Sequence, residues 1–236
     1  MKLTRRASFW IGFSLALGAI LAVAVATAAR SGGSSPSLAA PKFAARGTHQ
    51  VAPSSRPLAE TLAVFARARR PTDTLPVGAA AAFAALGDQE QAGAGVRPGT
   101  PDAARSRLLL SDVGSWHGAI YAAPTAGGNV CYLVTAGPEG CATGFTQAFP
   151  VGVMIFDPDA LGDGASAAIT GLVPNDVRSV TVIVNGVGHP ARVANNAYFY
   201  QLPAGTAASP DALLIGYADG GALKMALPAL APAGTR

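Results

Sequence analysis

The chain has 236 residues, half of them apolar and 13% charged, with 17 Lys and Arg against 13 Asp and Glu. Four of the basic residues, Lys2, Arg5, Arg6 and Arg30, lie in a leader that holds no acid, and subtracting those 4 from 17 leaves 13 basic against 13 acidic side chains. The pI near 9.4 therefore belongs to the leader, and charge gives no reason to expect nucleic acid or any other polyanion as a partner.

Residues Phe9 to Ala29 carry no charge, and about 20 apolar residues suffice to span a bilayer as a helix. The basic flank predicts a cytoplasmic N-terminus with the rest of the chain outside. Ala26-Thr27-Ala28 offers a signal-peptidase site, but the run exceeds the usual apolar region of a signal peptide, so an uncleaved anchor is the expectation over Met1–Arg30. The twin arginine in TRRASF departs from a twin-arginine export signal because Phe9 stands one place late. No cysteine follows the run to carry a lipid.

Residues 31–56, SGGSSPSLAAPKFAARGTHQVAPSSR, are rich in Ser, Gly, Pro and Ala without apolar periodicity. They read as a flexible tether in which His49 is a solvated linker residue. A helical lead-in over residues 57–104 follows. PLAETLAVFARARRP places Leu58, Leu62 and Phe65 at helical spacing, with Glu60 in the first turn, Arg67, Arg69 and Arg70 at the dipole-favoured end and Pro71 as the stop. VGAAAAFAAL predicts a second helix over Val77–Leu86, ended by Gly87. In the loop Asp88 to Gly99, GAGVRPG lacks both the lysine of a phosphate loop and the strand that precedes a dinucleotide fingerprint. Thr100-Pro101-Asp102 predicts a capped single turn.

A β-rich domain is expected over residues 105–228, with 229–236 as a tail. Apolar runs near Leu108–Ser111, Gly118–Ala122 and Val130–Thr135, separated by glycine-rich turns, predict an antiparallel meander. In the third run Val130, Tyr132 and Val134 face one way, and Cys131, Leu133 and Thr135 the other. A reversal through Ala136-Gly137-Pro138 sets Cys131 opposite Cys141, and export makes a disulfide the default for two lone cysteines. A redox or metal pair lacks the close spacing and the further ligands. Beyond Val151–Phe156, strands are expected at Ile169–Val173, around Val180, Val182 and Val184, around Tyr198, Tyr200 and Leu202 with Phe199 opposite, and in a hairpin of Leu213, Ile215 and Tyr217 with Leu223, Met225 and Leu227. Asn185-Gly186 and Asp219-Gly220-Gly221 supply turns, and His189-Pro190 reopens an extended segment. With no helix between them, these strands predict a mainly β fold, a β-sandwich or related antiparallel packing.

The succession VFARARRPTDTLP, RLLLSDVGSWHGAIYAAPTAGGNVCYLVTAGPEGCATGF, GLVPNDVRSVTVIVNGVGHPARVANNAYFYQLP and a closing YADGG hairpin resembles an uncharacterised group of exported actinobacterial proteins, over most of Leu58 to Leu227. That group has no assigned activity, so the resemblance implies an exported β-rich domain and no mechanism.

Candidate chemistry is sparse. Asp112, Ser115 and His117 lie close in sequence, but triad members come from separate elements around a pocket, so a polar turn followed by a half-buried histidine is the preferred reading. Ser166 in GASAA lacks the second glycine of a nucleophile elbow. Asp157, Asp159 and Asp163 approach a calcium loop, yet Leu161 stands where another oxygen ligand belongs, so a solvated acidic loop is preferred. The three histidines do not form HExxH. No catalytic residue and no cofactor is assigned. The expected function is non-enzymatic: a membrane-tethered extracytoplasmic domain that binds an envelope protein or surface polymer, or plays a structural part. The alternative is an extracytoplasmic hydrolase using Ser115 and His117.

Overall fold

A computed structural model describes residues 48–86 except 53, 99–156 except 136, 167–203 and 209–228. The apolar run Phe9–Ala29, Gly87, Ser166 and the acids Asp157, Asp159 and Asp163 lie outside the described residues. Among the described residues no helix is long and apolar enough to cross a membrane.

The body is mainly antiparallel β. Strands β1 (Arg107–Val113), β2 (Gly118–Pro124), β3 (Val130–Val134) and β4 (Glu139–Ala142) form a meander in that order. A second sheet orders β5 (Met154–Phe156), β6 (Ala168–Leu172), β10 (Ala197–Gln201) and β9 (Arg192–Ala194). A third orders β12 (Ala222–Ala226), β11 (Pro210–Tyr217), β7 (Val177–Val184) and β8 (Val187–Pro190). All pairings between strands are antiparallel.

Side-chain alternation explains how the sheets pack. Val130, Tyr132 and Val134 join a core with Phe156, Ala168, Leu172, Ala197 and Phe199 of the second sheet. Ile169 and Tyr198, on the opposite face of that sheet, join Val180, Val182, Val184, Leu213 and Ile215 of the third. The second sheet is thus buried on both faces, and every residue of β6 is buried. The expected antiparallel packing is present with one more layer than a two-sheet sandwich. Gly171 on β6 permits this density: a Cβ there would overlap the Gly152 carbonyl oxygen, which also accepts from the Tyr198 hydroxyl at 3.1 Å.

The outer face of the meander carries Tyr121, Ala123, Cys131 and Leu133, covered by Ala79, Phe83 and Leu86 of a ten-residue helix, Val77–Leu86. Cys131 and Cys141 stand opposite each other on β3 and β4 and form the expected disulfide. The meander also encloses Trp116 in the turn between β1 and β2. Its indole packs edge-on against Phe199 with ring centroids 5.9 Å apart and lies so close to Gly118 that a Cβ there would collide with it.

The single helix expected from Leu58 to Arg70 is corrected: it is two single turns, Leu58–Thr61 and Ala63–Ala66, broken at Leu62 (φ −91°, ψ 118°). Leu62 is buried, and two asparagines from the far end of the chain cap the second turn. The Ala63 N–H donates to Asn175 Oδ1 at 2.8 Å and the Val64 N–H to Asn196 Oδ1 at 3.0 Å. These side chains satisfy donors that a continuous helix would have satisfied internally, so the break carries little hydrogen-bonding cost.

The arginines do not close a helix either. Arg67 grips Asp73 in the 3-10 turn Pro71–Asp73 with two hydrogen bonds of 2.7 Å. The same carboxylate accepts the Arg70 N–H at 2.6 Å and the Leu108 N–H at 2.8 Å, which fastens the lead-in to the first strand. The capped turn expected at Thr100-Pro101-Asp102 lies further along, at the 3-10 turn Ala103–Arg105: Pro101 bridges Thr125, and Asp102 is the cap, accepting from the Ala104 N–H.

Candidate functional site

Ser115 and His117 sit in the four-residue turn between β1 and β2, and both are exposed; the half-buried histidine expected after the turn is corrected, because His117 closes the turn itself and β2 begins only at Gly118. The residues do not address each other. The Ser115 N–H donates to Gln201 Oε1 at 2.8 Å, and its hydroxyl accepts from Gln201 Nε2 at 3.1 Å. His117 Nδ1 lies 2.5 Å from Asp112 Oδ1, with the imidazole 81% and the carboxylate 71% exposed. Asp112 and His117 both adopt φ 53°, so this pair closes a tight reversal. His117 also lines an apolar groove of ≈ 580 Å³ between the Val77–Leu86 helix and the meander, but Ser115 does not.

A second concavity, of ≈ 300 Å³, lies where the segment entering the body crosses the turns at one end of the sheets. The segment is anchored by backbone and side chain together. Thr48 forms a parallel bridge with Ala222, and the His49 N–H donates to the Ala222 carbonyl at 3.3 Å. Gln147 brackets the next residues: its Oε1 accepts from the Val51 N–H at 2.7 Å and its Nε2 donates to the His49 carbonyl at 3.2 Å.

His49 itself is corrected from a solvated linker residue to a clasp, its side chain only 14% exposed. The imidazole stacks on Tyr217 at 3.6 Å and 12°, with Nδ1 2.9 Å from Asp219 Oδ2 and Nε2 3.5 Å from Asp176 Oδ2. Asp176 comes from the turn before β7 and Asp219 from the turn between β11 and β12. The Gly221 N–H, and after it His49, hold the Asp219 carboxyl below its ordinary value. Burial, reinforced by Asp176 and Asp219, pushes the Tyr217 phenol up to about 12. That phenol is buried and has no hydrogen-bond partner among the described residues.

The two carboxylates meet different ring nitrogens and do not converge on one ion. Among the described residues no group of three or more His, Cys, Asp and Glu side chains could hold a metal. The remaining cleft wall is mixed, with Leu58, Phe145 and Pro174 as apolar surface and Gln50, Ser54, Arg56 and Thr143 as polar groups.

Little in the sequence signals this cleft. Val51 and Thr48 flank His49 and Gln50 in an extended segment too short for a periodic pattern, and the clasp joins residues 170 positions apart. No family model, no curated protein and no solved structure matches the chain.

Proposed function

We propose that the chain is a non-enzymatic binding domain of the cell envelope, held outside the cytoplasm by the apolar run Phe9–Ala29. The observation that carries the non-enzymatic reading is the separation of Ser115 from His117. A nucleophile needs its base within hydrogen-bond reach, and here the serine is engaged by Gln201 while the imidazole is engaged by Asp112. The groove between the Val77–Leu86 helix and the meander is lined by His117 and not by Ser115. Export is supported by the leader and by the Cys131–Cys141 disulfide, since an oxidising compartment favours such bonds. The cleft beside His49 supplies concave surface for a partner, with the mixed apolar and polar lining that binding sites have.

The hydrolase alternative draws on one observation, the Asp112–His117 pair, which resembles the orienting half of a triad. It would need Ser115 to leave Gln201 and turn to the imidazole.

Cell fractionation with protease added to intact spheroplasts tests the location. The full chain is expected in the membrane fraction and its β-rich domain is expected to be degraded from outside. A soluble product beginning near Ala29 would defeat the anchor, and a chain protected from the protease would defeat export.

A further inference from the structure

We propose that the cleft beside His49 is a carbohydrate site that takes one or two rings of an uncharged envelope polymer. The proposal rests on the binding-domain reading and gives it a ligand class. A sugar ring is amphipathic, with hydroxyls around its edge and C–H bonds across its faces. A site for it combines a small apolar platform with short polar groups that both donate and accept.

The cleft has that composition. Phe145, Leu58 and Pro174 provide the apolar surface, and the Thr143 hydroxyl and the Gln50 amide line it. Neither of those two polar side chains has a hydrogen-bond partner among the described residues. Asp176 and Arg56 keep half or more of their side chains exposed, at 50% and 68%, and a carboxylate and a guanidinium can each address two neighbouring hydroxyls at once. Tyr217 also lines the cleft, under the stacked His49 ring.

Charge and size narrow the class further. One carboxylate and one guanidinium face the space, and His49 is already held between Asp176 and Asp219, so the lining selects neither a polyanion nor a polycation. The ≈ 300 Å³ volume lies at the lower end for small-molecule sites, which suits a short stretch of polymer.

The test is isothermal titration of the purified full-length chain, in a zwitterionic detergent without a sugar headgroup, with maltohexaose, cellohexaose and chitohexaose. At least one is expected to bind. Thr143→Val and Phe145→Ala are each expected to weaken that binding about tenfold, roughly one lost contact, with the melting temperature unchanged for Thr143→Val and lowered for Phe145→Ala, because Phe145 packs against the core. Lys224→Gln, on β12 outside the cleft, should bind as the parent does. Thr143 is exposed, so its variant keeps the test open if Phe145→Ala fails to fold. The proposal is overturned if none of the three oligosaccharides binds, or if binding survives Thr143→Val and Phe145→Ala at parent strength. Shortened oligosaccharides after incubation would count against the non-enzymatic reading while leaving the cleft as the carbohydrate site.

Discussion

Replacing Arg67 by methionine removes the guanidinium while keeping most of the side chain's apolar length, and it strands a fully buried carboxylate. Asp73 is 0% exposed and its partner 20%. Arg67 supplies two of the four hydrogen bonds to that carboxylate, both charge-assisted at 2.7 Å, and the Arg70 and Leu108 N–H groups supply the others. Breaking a buried ion pair by removing one partner costs about 3 to 5 kcal/mol, and the two surviving backbone donors place this case near about 3 kcal/mol. For a domain of this size that corresponds to a melting-point drop of roughly 6 to 12 °C. Arg67 first, then the two backbone N–H groups, hold the Asp73 carboxyl well below the usual carboxylate range. A depressed folded-state pKa stabilises the protein above the ordinary value, about 3.9, and that contribution is lost as pH falls towards the folded value. Melts of the parent and Arg67→Met at pH 7, 5 and 3 should therefore show the full difference at pH 7 and 5 and a smaller one at pH 3. A loss under about 1 kcal/mol at pH 7, the size of a surface ion pair, or a loss of equal size at all three pH values, would refute the reasoning.

Two further outcomes follow from named contacts. Mass spectrometry of nonreduced protein recovered from outside the cytoplasm should find no free thiol, and the Cys131→Ser, Cys141→Ser double variant should lose about 2 to 3 kcal/mol by the loop-entropy argument for a separation of 10 residues. Asn196→Ala should cost about 3 kcal/mol in thermal melts, because it orphans the Val64 N–H and the Val173 carbonyl and places alanine at φ 64°. A loss under about 1 kcal/mol would mean that Asn196 does not hold the broken helix, leaving the Asn175 cap and the burial of Leu62 to do so.

What the sequence made legible was whatever alternation and local turn chemistry encode. Val130, Tyr132 and Val134 separate from Cys131 and Leu133 as a period of two requires, and Tyr198 and Phe199 divide between two cores for the same reason. Asn185-Gly186 turns with φ 50° and 75°, which is the backbone this dipeptide favours. Three features were hidden because their partners are distant. The helical spacing of Leu58, Leu62 and Phe65 is real, but Asn175 and Asn196 compete for the backbone at Ala63 and Val64 from over 110 residues away. Arg67 fits the dipole rule for a helix end, yet a buried carboxylate six residues on outbids a solvent-exposed terminus. His49 looked solvated because Asp176, Tyr217 and Asp219 belong to turns that only the folded sheets bring to it.

The central claim, that the chain binds without catalysing, is tested most directly by turnover. The purified full-length protein would be screened against broad esterase, peptidase and glycosidase substrates beside Ser115→Ala and His117→Ala, with the melting temperature of each recorded. The account predicts no turnover by the parent and melting temperatures for both variants close to it, since exposed turn residues usually contribute within about 0.5 kcal/mol. Turnover by the parent that either substitution abolishes without lowering the melting temperature would contradict it.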